Sequence, residues 1–406
     1  MSLRRFGRFL AATTTTALAV TLAPAVTAQD TTVEFSVSNI TDFHGRLEQD
    51  SYNQEMGAAL LTGLNNHING DENVFTTSGD NVGGSAFISA ITDDKYTIEF
   101  LKAAGVGASA VGNHEFDAGQ DDLMNRIVPE SGFPILGANV YKADGTHLLP
   151  PSAVVEKNGV KIGFVGSVAT STAQKVSPAG IAGLEFRDPV AETNAEAQRL
   201  KDSGEADVVI ALFHEDAQKF APEFNADYVD FLFGGDTHQQ YADDSAPVPY
   251  AQSLEYGKVL TDVDFTFNTD TKTIENITIT QYDLAAAEAT GATADAGVAA
   301  IVAEAKAQAD EIGQQIIATI DNSFYRGSNA DAGPGSNRGV ESTLNHLIAE
   351  AQRDSLAKLI EQDIQIGFMN AGGVREDLPA GDVSYADVAT IQPFGNEVSV
   401  ATMSGQ

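Results

Sequence analysis

The chain has 406 residues and not one cysteine. That absence rules out disulfides and thiolate metal sites together, so any metal centre has to be built from the nitrogen and oxygen donors of His, Asp, Asn and Gln. Cations are scarce as well: 23 Lys and Arg stand against 57 Asp and Glu, a formal charge of −34. So acidic a surface argues against binding nucleic-acid duplexes or anionic membranes. It also repels phosphate esters, which would need a strongly cationic local site. No internal repeat is visible, and no apolar run after the N-terminal leader is long enough to span a membrane.

That leader is the first thing the sequence does offer. Arg4, Arg5 and Arg8 precede an apolar, Thr-rich run over 11–26, and Val26, Thr27 and Ala28 supply a small-residue cleavage site. The pattern predicts a secretory signal peptide over 1–28 and an extracellular or cell-envelope protein, with a twin-arginine route as the alternative to the general one. Setting aside its three arginines takes the charge from −34 to −37. The remaining length suits two domains.

From residue 32 onward short apolar runs alternate with helix-like stretches, the texture of an α/β or α+β domain. Runs at 33–40, 73–78, 108–111, 160–166, 207–213 and 228–233 read as strands, and 96–104 and 190–202 as covering helices. Five of the six runs lead straight into a polar cluster: T-D-F-H, G-D-N, G-N-H, H-E-D and G-G-D-T-H. Functional groups gather in this way at the strand ends of open α/β sheets. Further on, 247–280 reads as hairpin material with its turn at 268–272, and 284–320 as one connecting helix. A Gly/Asn/Ser loop at 327–339 leads to a helix at 341–362 and a strand at 364–368. The last stretch, 397–406, reads as a strand running to the end of the chain, as though a second domain were cut short.

Four of the seven histidines fall in the polar clusters, which random placement would rarely achieve. Asp42 and His44 lie two apart, so an extended backbone would aim both to one side; Asp236 and His238 repeat the spacing. Asp80 directly follows its strand, and His214 follows the fifth run. Each of these alone is as readily a turn residue, a helix N-cap or a structural histidine. Together with Asn113 they supply enough donors for two divalent cations sharing Asp80, an arrangement that clamps a phosphoryl group and lowers the pKa of bound water. His114 would protonate the departing alkoxide, and Asp117, three residues on, would hold its tautomer. His67, His147 and His346 lie elsewhere and read as structural.

The motifs N-I-T-D-F-H-G, S-G-D-N-V-G-G-S, V-G-N-H-E-F-D-A-G, G-G-V-R-E and Q-P-F-G-N resemble the secreted 5′-nucleotidase family of metallophosphoesterases, which includes UDP-sugar hydrolases and 2′,3′-cyclic-nucleotide phosphodiesterases. The resemblance runs from about residue 33 to the last. It implies an α/β fold with a four-layer αββα catalytic domain over 32–283, a linking helix over 284–320 and a partial C-terminal substrate-binding domain over 321–406. By similarity, Asp42, His44, Asp80, Asn113 and His214 match metal ligands, and His114 and Asp117 the catalytic dyad. Arg338 and Arg375 resemble the arginines that hold the substrate's anionic groups, Asn370 a residue facing the base, and Phe394 one of two rings that sandwich it. Guanidinium forks do suit phosphate, and a phenyl face suits a base.

One departure bears on the chemistry. Relatives show G-H-[ST]-[HQ] where this chain has G-D-T-H, so Asp236 stands in for a histidine and takes the charge of the loaded site from about +2 to about +1. That predicts weaker retention of phosphate, a preference for harder ions such as Mn²⁺ or Mg²⁺ over Zn²⁺ or Co²⁺, and tighter phosphate inhibition in Asp236→His. A shifted register, with His238 and Gln240 as the pair, is the other way to complete the site. The resulting expectation is an exported dinuclear-metal phosphohydrolase acting on nucleoside 5′-monophosphates, with UDP-sugars and cyclic nucleotides as further substrates. A phosphodiesterase or sulfur-ester hydrolase on the same scaffold, and a nucleotide- or metal-binding surface protein without turnover, are the alternatives.

Overall fold

The strand Val208–His214 shows how the layers are built. Val208, Ile210 and Leu212 join one hydrophobic cluster, whereas Val209, Ala211 and Phe213 join another. Both faces of the strand are covered, which is what an unbroken apolar run requires of its surroundings. The computed structural model describes residues 31–70, 73–392 and 398–404; the leader over 1–28 and Phe394 lie outside them.

In chain order the strands are β1 (Thr32–Ile40), β2 (Asn73–Thr77), β3 (Ala108–Ala110), β4 (Ile135–Leu136), β5 (Val140–Lys142), β6 (Ser152–Lys157), β7 (Val160–Val168), β8 (Leu184–Phe186), β9 (Val208–His214), β10 (Phe231–Gly234), β11 (Gln240–Asp243), β12 (Tyr250–Ser253), β13 (Leu260–Asn268), β14 (Thr273–Tyr282), β15 (Ile316–Ile320) and β16 (Gly381–Ser384). Two six-stranded sheets run β14-β13-β1-β2-β3-β4 and β11-β12-β10-β9-β7-β6. Strands β1 to β4 are parallel, as are β7, β9, β10 and β12, with antiparallel strands at the edges. The two sheets meet face to face through Phe35, Val37, Phe164, Ile210, Phe231, Phe233 and Phe265. Helices Gly57–Asn69, Lys95–Ala103 and Ala296–Gly313 cover the outer face of the first sheet with Leu61, Leu64, Phe100, Val298 and Ala305. Helix Pro189–Ser203, capped by Asp188, lays Ala197 and Leu200 on the second. The result is the four-layer αββα arrangement, and it brings the carboxyl ends of β1, β2, β3, β9 and β10 to one place.

Three stretches differ from expectation. The region 284–320 is two helices, Leu284–Ala289 and Ala296–Gly313, followed by β15. Asp283 and Asp295 each accept a backbone N–H from three residues on, and such caps begin new helices in an Ala-rich run that looks continuous. Ile316–Ile320 is mostly β-branched and pairs with β16. Residues 364–368 and 398–404 form no strand. A strand needs a partner ladder, and no strand among the described residues runs beside either. The last part of the chain instead packs helices Thr343–Ile360 and Tyr385–Ile391 around Leu344, Ile348, Val374, Leu378 and Val383. No helix among the described residues is long and apolar enough to cross a membrane.

One buried charge makes stability depend on pH. On β13, Val263, Phe265 and Phe267 face the inter-sheet core, so Asp262 turns to the helix layer, where Asn69 Nδ2 donates to it at 2.5 Å. Burial, aided by the charge of Asp264, raises its pKa from the usual 3.8 to about 7 against that hydrogen bond. Between those two values the folded chain keeps a proton that the unfolded chain has released, so stability falls as pH rises through the window. Asp262→Asn should therefore be more stable than the parent by about 1–3 kcal/mol at pH 8 and show no gain at pH 4, as measured by urea unfolding at both.

Candidate metal centre

The turns at the strand ends have an unusual backbone. Asp42, His44, Asp80, Asp236 and His238 all adopt positive φ, between 47° and 64°, a region that non-glycine residues rarely enter and that concentrates at functional sites. The expectation of an extended i, i+2 pair is thereby corrected. Left-handed turns drive the residue between the pair away from the site: Phe43 into the core, and Thr237 onto Gln252 Nε2 at 2.9 Å. The turns are also laced together, Asp42 N–H donating to Gly79 O and His44 N–H to Asp80 O.

The side chains converge. His214 Nε2 lies 3.1 Å from Asp80 Oδ2 and 3.7 Å from Asp236 Oδ1. His44 Nε2 is 3.9 Å from Asp80 Oδ2, and His238 Nε2 is 3.4 Å from Asp42 Oδ1. Donor atoms of Asp42, His44 and His238, of Asp42, Asp80 and His214, and of His44, Asp80 and His114 each lie within 4.8 Å of one another. Asn113 joins through Lys175, whose Nζ donates to its Oδ1 at 3.3 Å and also to Asp236 Oδ1. Gln240 stays out: it is exposed on β11 and bonded to Gln281, so the shifted register does not form.

The electrostatics suit a cation. Nδ1 of His44 faces Gly83 O at 2.6 Å and Nδ1 of His214 faces Ser78 O at 2.7 Å, which orients each Nε2 toward the carboxylates. Burial lowers the pKa of His44 despite Asp80 and Asp42. At His214 burial works the same way, but Asp80 outweighs it and raises the value to about 10. Asp80 is held far below the carboxylate range: burial opposes ionisation, and His214, His114 and His44 overcome it. Asp42 Oδ1 and His214 Nε2 are buried without a hydrogen-bond partner, a costly state for polar atoms. Two orphaned donors within a set of imidazoles, carboxylates and an amide fit a divalent cation.

Beside this cluster, His114 Nδ1 meets Asp117 Oδ2 at 2.9 Å, and its backbone N–H donates to Asp80 Oδ1 at 2.8 Å. Burial pulls its pKa down, yet the Asp117 bond and the charge of Asp80 raise it to about 9.

Two functional residues were missed by sequence reasoning. Glu115 is buried and accepts the backbone N–H groups of Gly112, Asn81 and Asp80 at 2.6, 2.8 and 3.0 Å, tying the loop after β2 to the loop after β3. Burial and the charge of Asp80 raise its pKa to about 7 against those bonds. Its signal was its place inside G-N-H-E, next to the candidate proton donor. Lys175 carried no local signal; its ammonium pairs with the carboxylate of Asp236.

Packing is tight enough to make a glycine indispensable. A Cβ on Gly112 would come within 2.1 Å of Asp80 Oδ1. Gly112→Ala should displace Asp80 and lower turnover by about 10²-fold, as ångström-scale misplacement does, which a rate assay at saturating metal would show.

The C-terminal candidates lie apart. Arg326, Arg338, Arg375, Asn337 and Asn345 line a cavity of about 110 Å³. Arg326 is paired with Asp377 at 3.1 Å, whereas among the described residues the Arg338 side chain has no hydrogen bond or ion pair and the Arg375 guanidinium bonds only to Gly372 O. Asn370 caps the turn Ala371–Gly373 with its side chain. No hydrogen bond or ion pair among the described residues joins these arginines to the candidate metal ligands.

Comparison with known proteins follows the same division. Residues 36–240 match the calcineurin-like phosphoesterases and residues 316–406 the 5′-nucleotidase C-terminal domain. The chain is 28% identical over 433 residues to a 5′-nucleotidase of Vibrio parahaemolyticus, covering 93% of this chain and 74% of that protein. It is 25% identical to Endonuclease YhcR of Bacillus subtilis over 94% of this chain and only 32% of that protein. The crystal structure of a 5′-nucleotidase precursor from Thermus thermophilus superposes with a TM-score of 0.64 at 20% identity, covering 90% of this chain and 74% of that one.

Proposed function

Since the chain belongs to the calcineurin-like phosphoesterase family, whose members are metal-dependent phosphoester hydrolases, we propose that it releases phosphate from nucleoside 5′-monophosphates at a centre of two divalent cations, after export from the cell. The observation that carries this reading is the meeting of Asp42, Asp80 and His214 from three strand ends, with Asp42 Oδ1 and His214 Nε2 buried without a hydrogen bond. Asp42, His44 and His238 would hold one cation, and Asn113, His214 and Asp236 the other, with Asp80 shared between them. Cations in such a donor set supply charge stabilisation of phosphoryl oxygens and an acidified water.

The protein's own groups supply the rest. His114 points Nδ1 at Asp117, which leaves Nε2 for the leaving oxygen, and the Asp117 carboxylate favours the protonated ring. A group in that state can act as general acid. Arg338 and Arg375 offer bidentate donors to an anionic substrate group, and Asn370 would face the base. The 5′-nucleotidase C-terminal match and the leader over 1–28 support the nucleotide and the export parts.

The test is hydrolysis by metal-stripped protein supplied with Mn²⁺ or Zn²⁺, with the products separated by chromatography. AMP should be hydrolysed fastest in a panel with UDP-glucose, 2′,3′-cyclic AMP, a thiosulfate ester and an oligonucleotide, and a chelator should abolish the activity. Turnover of only the diesters would replace this reading with a phosphodiesterase, and nucleotide binding without turnover would replace it with a binding protein.

A further inference from the structure

Asp236 stands just past the end of β10, two residues before His238, and the side chain that meets it is Lys175. The lysine lies at the end of the short helix Thr172–Lys175, just past β7, and is held there by Val176, which is buried in the adjoining core. Its ammonium binds Asp236 Oδ1 and, at 3.3 Å, Asn113 Oδ1. Asp236 Oδ1 is also the oxygen that lies 3.7 Å from His214 Nε2, which is buried without a hydrogen bond. One ammonium therefore engages Asn113 Oδ1 and, of the two carboxylate oxygens of Asp236, the one that faces His214. An oxygen cannot face a divalent ion and stay bonded to an ammonium without setting two positive charges against each other.

The opposite side is not obstructed in this way. Asp42 Oδ1 makes no hydrogen bond, and the neighbouring cations are engaged elsewhere. Arg46 lies over the Tyr256 ring at 4.3 Å with Glu55 at 3.8 Å, and Lys258 pairs with Glu255. Lys175 is a compact charge on a flexible stem, and its side chain is about a third exposed, so it is able to withdraw into solvent.

We infer that Lys175 is a latch on Asp236 that makes the two cation positions unequal. The position formed by Asp42, His44 and His238 fills directly, and the one formed by Asn113, His214 and Asp236 fills only when the ammonium lets go. While the latch is closed the Lys175–Asp236 pair carries no net charge, so Lys175 governs how readily the second cation enters and exchanges. This inference rests on the metal-centre reading above.

Titration of metal-stripped protein with Mn²⁺, followed by calorimetry and by the electron paramagnetic resonance of bound Mn²⁺, tests it without an activity assay. The parent should bind one ion tightly and a second at least about tenfold more weakly. Lys175→Met should tighten the second by about tenfold or more and leave the first unchanged, and the spin-coupled pair should appear at a lower metal ratio. Lys175→Arg, which keeps the ion pair, should behave as the parent does. Thermal unfolding of each metal-free variant verifies that it is folded. Two equal affinities in the parent, or a second affinity unchanged or weakened in Lys175→Met, would overturn the latch alone. A parent that binds no Mn²⁺ would overturn the metal centre, and the latch with it.

Discussion

Replacing His114 by alanine should lower kcat for AMP by about 10²–10⁴-fold, the usual worth of a positioned proton donor, with the metal content of the purified protein unchanged. The prediction follows from two contacts and a shift in acidity. Nδ1 is taken by Asp117 at 2.9 Å, the backbone N–H is taken by Asp80, and the ring pKa is raised to about 9. The side chain is thus a held, protonated donor beside the centre and is not needed to build it. A donor matters most when the leaving group is a poor one. The alkoxide of a nucleoside needs a proton to depart, whereas a nitrophenolate does not, so the variant should lose far less on p-nitrophenyl phosphate than on AMP. An equal loss on both substrates, or the loss of a bound ion, would reassign His114 as a ligand, for which its proximity to His44 and Asp80 gives the opportunity. Asp117→Asn should keep the ring in place yet fall on the same side of the comparison with a smaller loss.

Asp80→Asn should have the largest effect of all. Its carboxylate is 3.1 Å from His214 and 3.9 Å from His44, and it accepts the His114 N–H. Asparagine can still accept that N–H, so the loop is expected to stay in place, while the negative charge shared by both cation positions is lost. Several kilocalories of charge stabilisation disappear with it, which corresponds to a fall in kcat/KM of about 10³-fold or more. Elemental analysis should show less than the parent's metal stoichiometry. Full metal occupancy together with parental activity would remove Asp80 from the centre.

The residue types at the site were legible because strand ends punctuate the sequence. Apolar runs stop, and Asp42, His44, Asp80, Asn113, His214, Asp236 and His238 follow at once. The layers were legible for the same reason, since a run such as 208–214 is buried on both faces only between a sheet and a helix layer. Local pattern was misleading where it depended on partners. Residues 364–368 have the composition of a strand without a ladder to join, and 284–320 concealed a second cap and a strand. The i, i+2 argument reached the right residues by the wrong backbone, because left-handed turns, not extended chain, aim them inward.

Taken alone, the sequence determined the alternation of strands and helices, the oxygen and nitrogen character of any metal site, and which side chains stand at the strand ends, since all of these depend on residue type and short spacing. Only the tertiary structure decided that Glu115 would tie two loops together, that Asp42 Oδ1 and His214 Nε2 would be buried without a hydrogen bond, and that Lys175 would reach Asp236 from 61 residues away. Burial and charge act through distances in space, and no spacing along the chain records those distances.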